Sequence, residues 1–155
     1  MAGIFDIKVV GLAPVDGMMV QLANFGGSKM SLLRALGVLI QKQHTRRVLS
    51  EKTSPDGATW APLKASTVER KGNANILVES GRMAHAWSLA FGADSVRMRN
   101  TATSSRSKGV KYLPFHQFGT RNMAARPMLG LSAANEREIH EVVNAWVARR
   151  IGIAA

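Results

Sequence analysis

Between Lys29 and Ser50 the apolar side chains recur at helical spacing: Leu33, Leu36, Ile40, His44 and Val48 fall on one stripe, widened by Leu32 and Leu39. Ser28 stands in place to cap this helix, after a Gly26-Gly27 hinge. A helix this long with one apolar face must lie along another layer, so the rest of the chain has to supply that layer. Gly37 sits inside the run, where glycine costs about 1 kcal/mol against alanine. It therefore predicts close packing of the helix against a second element.

The second layer reads as a small sheet. Ile4–Val10 alternates as a strand that Gly11 and Pro14 end, and Val15–Phe25 admits a short helix on Met19, Leu22 and Ala23. Trp87–Phe91, Gly92-Ala93-Asp94 and Ser95–Thr101 read as strand, tight turn, strand. In the second strand Val96, Met98 and Asn100 point one way, and Arg97, Arg99 and Thr101 the other. Arg121–Met128 is expected to be a last strand, with Pro127 at an edge. A final helix begins at Ser132 or Asn135 and carries Ile139, Val142, Val143, Trp146 and Val147 at helical spacing. Glu136, Glu138 and Glu141 at its start and Arg149-Arg150 at its end suit the macrodipole, and Gly152 stops it. The class is α+β: a small antiparallel sheet packed by one long helix and a C-terminal helix. The 155 residues form one domain over 1–155.

The connector between helix and sheet is turn-rich. Ser54-Pro55-Asp56-Gly57 is a tight turn, Ser66 and Glu69 fit a capping box, Gly72 ends that short helix, and Asn73 and Asn75 mark a loop. Ser80 can cap a helical turn that runs to about Trp87. Trp60, Leu63, Trp87, Phe118 and Trp146 are the expected core anchors. Thr101–Gly109 is small, polar and basic, and is expected to be a flexible loop that orders on assembly.

Chemistry is sparse. The chain has no cysteine, which excludes disulfides and thiolate metal sites. No GxSxG, HExxH or GxGxxG pattern occurs, and Gly26-Gly27-Ser28-Lys29 suits a hinge and cap better than a phosphate loop. His44 lies on the apolar stripe and reads as a core histidine. Glu136 and His140 share a helix face but make only two ligands, and His85 and His116 show no partner for base catalysis. The expectation is no enzyme, no cofactor and no metal. No apolar run reaches the roughly 18 residues needed to span a bilayer, and the first residues lack a signal-peptide pattern. A soluble chain without membrane contact is expected.

Charge is more telling. Lysine and arginine number 21 against 10 acids, a net +11. No acid lies between Asp94 and Glu136, whereas Arg97, Arg99, Arg106, Lys108, Lys111, Arg121 and Arg126 all do. Such a segment calls for an acidic neighbour, either a protein surface or nucleic acid.

Four segments carry a resemblance. Pro55-Asp56-Gly57-Ala58-Thr59-Trp60-Ala61-Pro62-Leu63, followed by Thr67 and Lys71, resembles the "PxGxxWxPL…T…K" stretch of the phage virion morphogenesis family, the tail-completion and head–tail joining proteins of Mu-like and P2-like tailed phages. Ile76–Met83 (ILVESGRM) is similar to that family's "ILx(S/T)GxL", Tyr112–Gly119 (YLPFHQFG) to its "YAxxHQFG", and Ala125–Ser132 (ARPMLGLS) to its "PARPFLGLS". Leu113-Pro114 departs from the usual small residue after the tyrosine. The resemblance spans roughly 50–150 and leaves residues 1–27 unmatched. It implies a non-enzymatic structural protein of the virion, assembled in the host cytoplasm. There it would form a homo-oligomeric ring, hexamer or dodecamer, at the head–tail junction, against neighbouring neck, portal or tail proteins. The seven bases named above would then be an assembly surface, and DNA passing through the ring a non-specific contact. The alternative is a free basic nucleic-acid-binding protein that grips phosphates without reading bases.

Overall fold

A computed structural model describes residues 7–8, 29–104 and 109–151. Ser28, the Gly26-Gly27 hinge, the 15–25 segment, Arg106, Lys108 and Gly152 lie outside the described residues. So does the 4–10 strand except Ile7–Lys8.

The long helix α1 spans Lys29–Arg46, and its Leu32, Leu33, Leu36, Ile40 and His44 are buried. It does not stay α-helical to Ser50. Arg47–Glu51 forms a π turn that closes when the Lys52 N–H donates to Arg47 O at 3.0 Å, Lys52 taking φ 55°. The wider turn keeps both Arg47 and Val48 on the buried side.

Strands β1 (Ile7–Lys8), β2 (Trp87–Phe91) and β3 (Val96–Asn100) form an antiparallel sheet in the order β1-β3-β2. Val96 and Met98 are buried in the central strand while Arg97 and Arg99 are exposed, as the alternation requires. A Cβ on Gly37 would lie 3.0 Å from Val96 Cγ2 and 3.1 Å from the Phe91 ring, so this glycine lets α1 settle onto the sheet.

The C-terminal helix α5 spans Ala133–Ile151. Ser132 and Asn135 act together at its start: the Asn135 N–H donates to Ser132 Oγ and the Ser132 N–H to Asn135 Oδ1, both at 3.2 Å. The helix runs antiparallel to α1. Trp146 Nε1 donates to Ser31 Oγ at one end (3.0 Å), and Gln43 Nε2 to Asn135 O at the other (3.1 Å). Between them Ile139 and Val143 join Leu36 and Ile40 in the core. The fold is α+β.

Several local expectations are corrected. The short helix α2 covers Ala65–Lys71 and starts after Lys64 with no side-chain cap, so Ser66 sits in its first turn and the capping box does not form. Helix α3, Arg82–His85, starts from Gly81 at φ 73°, which replaces Ser80 as the N-terminal residue. Arg121–Met128 is not a strand. After α4 (Leu113–Phe118) the Arg126 N–H donates to His116 O at 2.6 Å, and the Met128 and Leu129 N–H groups both donate to Gln117 Oε1 at 3.0 Å. The Arg126 and Met128 donors are thus spent on α4, and those of Asn122 and Met123 on Thr120, not on a neighbouring strand. Trp60 and Trp87 are buried, Leu63 and Trp146 half-buried. Phe118 is 63% exposed and is not a core residue, because α4 turns its Phe115 and Phe118 to the surface while Leu113 faces in. Of the 101–109 segment, Ala102 is buried and Thr103 bridges Lys111; residues 105–108 lie outside the described residues.

Candidate functional site

The Ser54–Gly57 turn closes with the Gly57 N–H on Ser54 O at 2.9 Å and delivers Trp60 to the interior. Trp60 Nε1 donates to Pro127 O at 3.0 Å. Arg126 reaches back across the same seam, donating from Nε to Ala61 O (3.0 Å) and from Nη2 to Pro62 O (2.9 Å). Gly119 turns the chain out of α4 at φ 72°, where a Cβ would meet Ala125 N at 2.8 Å. On the other side Lys52 Nζ donates to Val48 O and, at 3.0 Å, to Ile76 O, which pins the loop before Leu77.

These locks enclose a cavity of about 720 Å³. One wall is α2 with Leu63 and Lys64 before it, a second runs from Leu77 to Met83, and a third comprises Tyr112, His116, Asn122, Met123, Ala124 and Arg126. Its charged lining is Lys64, Arg70, Lys71, Arg82 and Arg126 against Glu79. The cations crowd one another. Burial pushes the His116 imidazole down to about 4, and the Arg126 and Lys71 charges push the same way. Burial likewise lowers Lys71, with Glu79 opposing and Arg126 adding to it, and lowers Arg126. Burial raises the Tyr112 hydroxyl. Burial is the largest cause in every case; for His116 and Lys71 repulsion from Arg126 adds to it, so these two groups sit in the field of a neighbouring cation.

Of the expected assembly residues, Arg106 and Lys108 lie outside the described residues. Arg97 and Arg99 stand exposed on the outer side of β3, opposite Ala90 and Ser88 of β2. Lys111 and Arg121 are exposed as well. Arg126 is 5% exposed and donates its guanidinium to two backbone carbonyls, so it is a structural clamp of the cavity wall and not part of an exposed face. Among the described residues no group of three or more His, Asp or Glu side chains could hold a metal, and no helix is long and apolar enough to cross a membrane.

The model of the phage virion morphogenesis family matches residues 10–148. The chain belongs to that family. No curated protein and no solved structure matches it. Membership brings a structural role in phage morphogenesis and association with the virion. It also gives the four resembling segments a common place. Trp60, Arg126 and Gln117 lock the first, third and fourth to one another, and Leu63, Thr67, Lys71, Tyr112 and His116 line a cavity whose other wall is the second, Leu77–Met83.

Sequence reasoning missed the cavity's Lys64, Arg70 and Arg82, which nothing in their spacing ties to Arg126. It also missed Arg47 and Gln43. Their signal was available: with Leu36, Ile40 and His44 they continue the three–four spacing of the buried stripe, and polar groups on such a stripe need buried partners.

Proposed function

We propose that this chain is a structural protein of the head–tail junction of a tailed-phage virion. It works there in head–tail joining or tail completion as one subunit of a hexameric or dodecameric ring. The observation that carries the reading is the family match over residues 10–148. The charge distribution supports it: Arg97 and Arg99 project from the central strand of a small sheet, and Lys111 and Arg121 of the same acid-free segment are exposed as well. Arginine pairs bidentately with carboxylates and phosphates, so this face suits the acidic surface of a neck, portal or tail neighbour. DNA passing through the ring contributes at most a diffuse, non-specific contact.

The test is phage grown without the protein and imaged by electron microscopy. Filled heads lacking tails mean joining, and tails of irregular length mean termination; normal virions overturn the proposal. Arg97→Glu and Arg99→Glu, each expected to change stability by less than about 0.5 kcal/mol as exposed substitutions, are expected to cut virion yield. Normal yield from both would remove this face from the assembly surface.

A further inference from the structure

We infer that the cavity between α2, the Leu77–Met83 loop and α4 is a docking groove for an extended acidic segment of another virion protein, an inference that rests on the assembly role proposed above. The cavity's size is that of a ligand site and not of a packing defect. Its wall is mixed: Leu63, Met83 and Tyr112 offer apolar contact, while Lys71, Arg82 and Arg126 supply positive charge. An extended chain places alternate side chains on opposite sides. A segment alternating acidic and apolar residues would therefore set carboxylates on the cations and rest its other side chains on the apolar wall. Occupancy by a carboxylate would relieve the repulsion that the free groove holds between Arg126 and Lys71.

A second copy of this chain does not fit the groove. Outside helix α5 no two of its acids lie within four residues of one another, and Glu136, Glu138 and Glu141 are committed to that folded helix. Duplex DNA fits less well than a peptide. Its phosphates lie on the outside of a rigid cylinder and cannot enter a concave site, whereas a peptide carboxylate can. The exposed basic strand β3 suits phosphates better than the groove does.

The test uses the full chain and a short fluorescently labelled peptide alternating glutamate and leucine, with the glutamine–leucine peptide as control. Saturable binding of the acidic peptide alone is expected. Arg70→Glu and Arg82→Glu, both at exposed positions, are each expected to weaken it about tenfold or more, and Arg97→Glu to leave it unchanged. Equal binding of the glutamine peptide overturns the charge-directed groove. An equal loss from Arg97→Glu overturns it in favour of a diffuse field. Displacement of the peptide by a DNA duplex at lower concentration than by unlabelled peptide assigns the groove to nucleic acid. No peptide binding, with virions still dependent on the protein, ends this inference and leaves the head–tail role standing. Normal virions without the protein end that role whatever the peptide does.

Discussion

Two regions of this molecule bury a guanidinium beside a histidine, and they put the pair to different ends. At the end of α1, Arg47 is 1% exposed and donates from Nη1 to Met128 O (2.9 Å) and Gly130 O (2.6 Å), and from Nη2 to Asn135 Oδ1 (2.6 Å). His44, one turn earlier, donates from Nδ1 to Ile40 O at 2.8 Å and packs its ring edge-on to Trp87. Glu51 lies 4.0 Å from Arg47. In the cavity wall Arg126 likewise donates to carbonyls, and among the described residues no carboxylate comes within ion-pair distance of it. Its neighbour His116 faces Lys71 as well. Both imidazoles are held down to about 4, with burial as the largest cause and the nearby arginine adding to it. The Arg47 pair is sealed by α5 and the chain before it. The Arg126 pair opens on a cavity that an anion can enter. A guanidinium bonded only to carbonyls keeps its full charge, so the same clamp is purely structural in one setting and a ligand-directing field in the other.

The largest expected effect separates the clamps by stability. Arg47→Met strands the Met128 and Gly130 carbonyls and leaves Asn135 Oδ1 with the Ser132 N–H alone, and is expected to cost about 4 kcal/mol in urea unfolding. Arg126→Met, at an edge that water can reach, is expected to cost about 2 kcal/mol. Equal losses would erase the distinction between sealed and open clamps.

Acid titration comes next. In the fold both imidazoles stay neutral down to about pH 4, whereas in the unfolded chain they protonate below about pH 6.5. The unfolded chain binds more protons between those values, so stability is full above about pH 6.5, falls as the pH drops towards 4 and levels off below. For a well-buried histidine the full loss is about 3 kcal/mol. His44→Gln and His116→Gln, followed by unfolding at neutral pH and near pH 4, should each flatten this decline. A decline unchanged in both variants would mean that other groups carry it.

The smaller effects distinguish the two pairs directly. Arg126→Met removes a repelling charge, so the His116 titration followed by NMR should move upward, though not to its ordinary value because burial remains. The His44 titration should stay in place. Raising ionic strength should move His116 upward and leave His44 unchanged, since salt screens a charge beside an open cavity far more than one in the interior. Equal movement of the two histidines would show that the cavity is not open to ions.

What was readable without coordinates follows from how far each signal reaches along the chain. The α1 stripe, the Gly37 contact, the alternation of β3 and the Ser54–Gly57 turn each depend on residues within one element or one turn, and each stands in the structure. The capping box at Ser66 failed because helix α2 starts two residues earlier than a Ser66 cap would allow, a choice local pattern could not make. The expected strand at Arg121–Met128 failed for a longer-range reason. Its N–H groups found the end of α4 and the Gln117 side chain, and the segment's own composition holds no sign of that.

The sequence by itself determined the class of the fold, the faces of its two long helices, the family, and the excess of positive charge. Periodicity and composition are properties of the chain before it folds. Only the tertiary structure decided which charges would face water and which would face one another. Arg126 meets Ala61 across 65 residues and Arg47 meets Met128 across 81. Contacts at such separation form because burying the apolar faces of α1, α5 and the sheet brings those segments together, and the charge of Arg126 is carried into the cavity wall with them.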